Sequence, residues 1–314
     1  MRNGVKAGKL SKFYLDEYDS EFASRLSPQE WEVILDFRRL PDFCVAAQQY
    51  QMISATFYAN HFILNKVVPE VWRFQMIACL LHLYDTRNPD DPRSGLTLVN
   101  FQKICTELKL ASRGRAFAFL NIMRVGGYLS RNPSSRDARV VELEPTPVFI
   151  ETVERWNHGI FQMIDAALPG IDLVEKHKRL PRLGWTMRRR SVERVLAGWK
   201  PVDAFPEIYM FVAADGGWML LSYCVAKAVH GDTIVPVSVN LSEIGQQYGG
   251  SRSHLRRLLE TAYAKGYLLA PPSNGSNIVL SPKLVCAYMT WIASYLGGYY
   301  RSATDALAEL EGHS

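Results

Sequence analysis

No run of about 20 apolar residues, the length a membrane-spanning helix needs, occurs in this sequence. The closest approach, "FVAADGGWMLLSYCVAKAV", is broken by Asp215 and two glycines. Cysteine is sparse: Cys44, Cys79, Cys105, Cys224 and Cys286 are odd in number, far apart and free of any CxxC spacing. That excludes a disulfide framework and predicts buried, reduced thiols. The first residues, "MRNGVKAGKLSKFYLDEYDSEF", are basic in places but lack the apolar centre of a secretory signal. Local signatures of catalysis are missing too, with no GxSxG, HExxH, phosphate-binding Walker loop or dinucleotide fingerprint. The seven histidines are scattered; His82 and Asp85 lie three apart, but two ligands do not make a metal site. These absences predict a soluble cytoplasmic protein that is not an enzyme and uses no cofactor or metal.

What is present is ordinary globular material: 314 residues, 48% apolar and 21% charged. That length implies two domains. A net charge of +5 permits an anionic partner without demanding one, so charge placement decides. Residues 1–26 read as a polar, flexible arm. "SPQEWEVILDFRRLP" then carries a capping box, with Ser27 as N-cap, Pro28 at the first helical position and Glu30 reaching back. Helices are predicted over about 42–64 and 69–85, followed by turn chemistry in "TRNPDDPRSG". In "LTLVNFQKICTELKL", Leu98, Phe101, Ile104 and Leu108 recur at helical spacing. "GYLS" and "RVVELEP" read as a hairpin around "SRNPSSRDAR", and a helix over about 145–167 follows. Between residues 175 and 200, nine Lys or Arg face two Glu in a basic connector. Beyond it the order recurs: a helix near 216–230, a second amphipathic helix marked by Leu241, Ile244 and Tyr248, a hairpin in "APPSNGSNIVLSP", and a helix over about 282–296.

The recurrence is sharpest between "SRGRAFAFLNIMRVGGYL" (112–129) and "SRSHLRRLLETAYAKGYL" (251–268), which align without a gap at an offset of 139. Ser112 and Ser251 sit as N-caps. Ala116, Phe119, Leu120 and Met123 form a buried stripe in the first copy, as do Leu255, Leu258, Leu259 and Ala262 in the second. The opposite face carries Arg113, Gly114, Phe117, Ala118 and Asn121 in one copy and Arg252, Ser253, Arg256, Arg257 and Glu260 in the other. A short helix, a tight turn and a second helix presenting Ser and Arg at its start is helix-turn-helix design. Its N-terminal residues reach base edges, and arginine binds guanine with two parallel hydrogen bonds. The hairpin supplies a wing, whose Arg131, Arg136 and Arg139 are placed to enter a minor groove or clamp phosphates. Six arginines stand against one acid, Asp137, between residues 112 and 139.

On these residues the chain resembles the MarR family of winged-helix transcription regulators. "VNLSEIGQQYGGSRSHLRRLLETAYAKGYLL" is similar to that family's helix-turn-helix, and "SSRDARVVELEP" to its wing, including the Asp137–Arg139 pair. The resemblance covers about 42–167 and, more weakly at its start, 207–296. It implies a mostly helical α+β fold with small β-hairpin wings, in which tandem winged helix-turn-helix units form an intramolecular pseudo-dimer. The expected divisions are an arm and short helix (1–41), a first winged unit (42–168), the connector (169–206) and a second winged unit (207–314). The function implied is sequence-specific binding of double-stranded DNA by Ser112, Arg113, Arg115, Arg131, Arg136, Arg139, Ser251, Arg252, Ser253, His254, Arg256 and Arg257. Relatives bind small aromatic effectors, and Tyr58, Trp72, Phe74 and Tyr84 leave room for one here, although core packing is the simpler role for them. Three departures from the family are visible. Phe117 and Ala118 stand where reading faces are usually polar, wing two has no arginine, and the basic connector has no counterpart, so that it either touches DNA backbone or is an ordinary solvated helix. A plasmid-type replication initiator with tandem winged helices and a protein-interaction scaffold are the alternatives.

Overall fold

The computed structural model describes residues 8–9, 16–44, 46–47, 49–50, 71–91, 93–133, 140–199, 201–230, 233–273 and 277–312. Helices dominate, with two small antiparallel sheets. In chain order they are β1 (Gly8–Lys9), α1 (Asp19–Ala23), α2 (Pro28–Arg38), α3 (Val71–Asp85), α4 (Leu98–Glu107), α5 (Arg113–Val125), β2 (Leu129–Pro133), β3 (Val141–Pro145), α6 (Pro147–Ala167), α7 (Leu173–Arg179) and α8 (Leu183–Leu196). A 3-10 turn (Pro201–Ala204) precedes α9 (Pro206–Val212), α10 (Gly217–Ala228), β4 (Val229–His230), β5 (Thr233–Ile234), α11 (Leu241–Tyr248), α12 (Arg252–Ala264) and α13 (Pro282–Gly312). Most of the helix expected over 42–64 lies outside the described residues. Among the described residues no single helix is long and apolar enough to cross a membrane; α9 and α10 reach that length only jointly, with a 120° bend between them.

The chain forms two compact bodies, neither contiguous in sequence. One comprises Met1–Pro69, Ala166–Gly170 and Lys200–Gly297 and carries the second copy of the repeat. The other comprises Glu70–Asp165, Ile171–Trp199 and Gly298–Ser314 and carries the first. Most of the stretch read as a connector therefore belongs to the body of the first copy.

In the body of the second copy, the described residues of the segment expected to be a flexible arm are engaged. Gly8–Lys9 pairs antiparallel with Thr233–Ile234. Phe22 on α1 is fully buried, its ring 5.7 Å from that of Phe205. One aromatic side chain in a polar segment is enough to anchor it, and charge reinforces the anchor. Buried Glu207 receives Arg25 at 2.9 Å, and Lys283 reaches Glu21 at 2.7 Å. The capping box at α2 forms as its sequence predicts, with the Ser27 amide donating to the Glu30 carboxylate at 2.9 Å and the Glu30 amide to Ser27 Oγ at 3.3 Å. An aromatic cluster of Tyr50, Trp218, Trp291 and Tyr295 fills the core beside α10 and α13.

The helix expected to stop near residue 296 continues to Gly312. Its paired glycines are approach points rather than a terminus. A β-carbon on Gly297 would stand 2.4 Å from Val33, and one on Gly298 would stand 2.3 Å from the Trp199 ring. Each glycine thus admits a side chain of its own body against the helix backbone.

In the body of the first copy, α8 packs on α3, with Tyr84 and Trp185 in ring contact at 6.2 Å. Five connector arginines, Arg182, Arg188, Arg189, Arg190 and Arg194, are engaged internally. Arg189 and Arg190 both hold Glu309, at 2.6 and 2.8 Å, and both also reach Glu193. Arg194 pairs with Asp305, Arg182 with Asp85, and buried Arg188 donates to Asn157 Oδ1. Arg188, Arg189, Arg190 and Arg194 of the basic stretch are thus held by other side chains of their body, whereas Lys178, Arg179 and Arg182 are exposed.

Candidate nucleic-acid interface

Two helix–turn–helix–hairpin substructures carry the candidate residues, one in each body. In the first, α4 leads through a turn to α5; in the second, α11 leads to α12. Burial repeats residue by residue. Phe101, Ile104 and Cys105 of α4 are buried, as are Leu241, Ile244 and Gly245 of α11, at an offset of 140. Ala116, Phe119, Leu120 and Met123 of α5 match Leu255, Leu258, Leu259 and Ala262 of α12 at 139. The shift from 140 to 139 is the one residue by which the second turn is shorter. Phe101 and Phe119 stack at 5.7 Å, locking α4 to α5.

The turns share a left-handed residue at the same place, Lys109 (φ 57°) in the first and Gly249 (φ 95°) in the second. Tightness differs. A β-carbon on Gly245 would stand 2.2 Å from the Gly250 carbonyl oxygen, so α11 and its turn close on bare backbone; Cys105 occupies the matching position in α4. Both α5 and α12 begin on the expected serine. Ser112 Oγ accepts from the Arg115 amide at 3.3 Å, and Ser251 Oγ from the His254 amide at 3.1 Å.

Both helices exit identically as well. Gly127 and Gly266 take φ of +75° and +76°, the Tyr128 and Tyr267 amides donate back to Met123 and Ala262, and the carbonyls of Tyr128 and Tyr267 accept from Thr146 and Ser281. Sequence reading missed a further strand pairing. The residue just before α4 joins the returning arm of the hairpin (Thr97 with Glu142), and before α11 Val237 does the same with Ile278. A single residue carries no alternation pattern, so no periodicity signal marks it. The first hairpin is a regular ladder from Leu129–Pro145 to Pro133–Val141. In the second, the described residues show the Leu268–Leu280 bridge, with the Leu269 amide donating to the Val279 carbonyl at 2.8 Å.

The outward faces are where the copies part. Ser251, Arg252, Ser253, Arg256 and Arg257 are all exposed. Arg256 is held by Glu260 one turn on, at 2.8 Å, an exposed pair that is weak and readily exchanged. Arg252 and Arg257 have no acidic partner among the described residues. His254 is half-buried, with its Nε2 enclosed and without a hydrogen-bond partner, so it offers little of its ring to a groove. On α5, Ser112, Arg113 and Arg115 are exposed and the two arginines face no acid among the described residues. Arg131 is exposed on β2, whereas Arg136 and Arg139 lie outside the described residues. Arg124, which sequence reading did not single out, is also exposed and donates to Asn121 at 3.2 Å. Near the base of the first hairpin, Arg87 is tied to Glu142 at 3.1 Å and Glu144 at 3.5 Å.

No family model matches the chain, and no characterised protein or solved structure matches it. Function must therefore be argued from these faces. Among the described residues no cluster of three or more His, Cys, Asp or Glu could hold a metal ion. Cys79, Cys105, Cys224 and Cys286 are buried, and burial pushes the thiol of each up to about 12. Such thiols are poor nucleophiles near neutral pH. Of the aromatics considered for an effector, Tyr84 packs on Trp185, Tyr58 lies outside the described residues, and the side chains of Trp72 and Phe74 are not described.

Proposed function

We propose that the chain is a sequence-specific, double-stranded DNA-binding transcription regulator, MarR-like in design, with two non-identical winged helix-turn-helix units in pseudo-two-fold relation within one chain. The observation that carries this reading is α12: a helix capped at Ser251, locked by Leu255, Leu258, Leu259 and Ala262, and presenting Arg252, Ser253, Arg256 and Arg257 together to solvent. A face of that width fits the major groove, and its arginine forks suit guanine. The helix start adds a favourable dipole toward phosphate. Repetition of cap, stripe, turn and hairpin in α4–α5 supports a second point of attachment, with Arg113 and Arg115 as anchors and Arg131 on the wing. Because the two faces differ, the preferred site is an imperfect palindrome with half-sites about one helical turn apart.

Selection of bound duplexes from random DNA, followed by an anisotropy titration, tests this. Arg252→Ala with Arg257→Ala is expected to cost about 1–3 kcal/mol for each arginine–base pairing removed. Wild-type binding should also weaken steeply with salt. Unchanged affinity of the double variant for the selected duplex overturns the assignment. Recovery of directly repeated sites in place of one imperfect palindrome would favour a replication initiator.

A further inference from the structure

The repeat supplies an internal control: wherever α5 and α12 place different side chains on one shared backbone plan, the difference marks a difference in partner. At four outward positions beyond the first turn, α12 carries Arg256, Arg257, Thr261 and Ala264, whereas α5 carries Phe117, Ala118, Ile122 and Val125. These α5 side chains stand in water, with Phe117 49%, Ile122 46% and Val125 87% exposed. Ala118, Ile122 and Val125 follow at i, i+4 and i+7 and make one apolar strip, while Phe117 lies about 100° round the helix from Ala118, on the far side of Asn121. Contiguous exposed apolar surface of this kind marks an interaction site.

We infer that the outward face of α5 docks an acidic, apolar-faced helical segment of a partner protein. The inference rests on the DNA reading only for the contrast with α12. Charge chooses the partner: Arg113, Arg115 and Arg124 flank the strip, α5 contains no acidic residue, and none of the three arginines is ion-paired among the described residues. Duplex DNA matches the arginines but not the strip. Base edges are rows of hydrogen-bond donors and acceptors relieved only by thymine methyl groups, and covering them with Phe, Ile and Val would desolvate them without replacement. A second copy of this chain matches the strip but sets three arginines against three. A helical segment with an apolar stripe flanked by Asp and Glu satisfies both features, as in helix-face recognition generally.

Two measurements on the full chain test this. A random 20-residue peptide display library is selected on the wild-type protein and counter-selected on the variant Phe117→Ser, Ile122→Ser, Val125→Ser. The expected winners are acidic peptides with apolar residues at helical spacing. As synthetic peptides they should bind the triple variant at least tenfold more weakly, and Arg113→Ala with Arg115→Ala about fivefold more weakly. No discriminating peptide, or discriminating peptides that are basic or uncharged, would overturn the inference. In the second measurement, Ile122→Cys is placed in a Cys44→Ser background, which removes the exposed native thiol, and maleimide labelling is timed with and without saturating selected duplex. An unchanged rate is expected; protection by DNA would put the strip in a groove and defeat the proposal. Because the peptide selection uses no DNA, failure of the α12 variant to lose DNA affinity would sink the DNA reading alone and leave the peptide result to decide the α5 proposal.

Discussion

α5 and α12 share a cap, a buried stripe and an exit turn, and yet one turns Phe, Ala, Ile and Val outward where the other turns Arg, Arg, Thr and Ala. A duplicated backbone plan constrains only the inward face, because each inward residue must fit its neighbours at interior packing density. The outward face is left to diverge with whatever it touches. The entry turns diverge for a related reason: α11 meets its turn through Gly245 with no room for a side chain, while α4 keeps Cys105 there and closes one residue later.

The sharpest way to break this comparison is at those turns. Gly245→Ala drives a β-carbon to 2.2 Å from the Gly250 carbonyl, which cannot retreat without opening the turn. A loss of about 3 kcal/mol is expected in a denaturant titration. Cys105→Ala, at the matching position, should cost about 1 kcal/mol; equal losses would show that the turns are equally tight. Ser112→Ala and Ser251→Ala should each cost about 1 kcal/mol, alike in both copies, by thermal melting. Lys109→Gly should raise stability by about 0.5 kcal/mol by relieving a left-handed lysine, as Gly249 already does in its twin.

The smallest effect concerns His82. Burial pushes its pKa below the ordinary value of 6.5, against the pull of Glu193 and Asp85 and with the push of Arg189. Below about pH 6.5 the unfolded chain therefore binds the extra proton first, and stability should fall as pH drops. His82→Gln should flatten that part of the pH–stability curve; an unaltered slope would exclude the group.

Much of this was legible in the residues. The Ser27–Glu30 box, both serine caps, both buried stripes and the first hairpin follow from local chemistry: hydroxyl before helix, apolar residues at three and four, polar tip between strands. What escaped is nonlocal. Arg189 and Glu309 are 120 residues apart, so a basic run could not be seen as neutralised. Phe22 sits among charges and signals nothing until Phe205 covers it. The glycines of α13 look like a stop because their function is to receive Val33 and Trp199. On the candidate interface, the arginines were visible, but the freedom of Arg252 and Arg257, and the tether on Arg256, depended on where acids came to lie.

The clasp of Arg189 and Arg190 on Glu309 has a chromatographic corollary. Formal charge counts these guanidinium groups as available to any polyanion, but each already faces a carboxylate and would have to abandon it to bind a resin. Retention on a sulfonate or heparin column should thus fall short of what residue counting suggests, and swapping Glu309 for Gln should lengthen it by more than one unit of charge warrants.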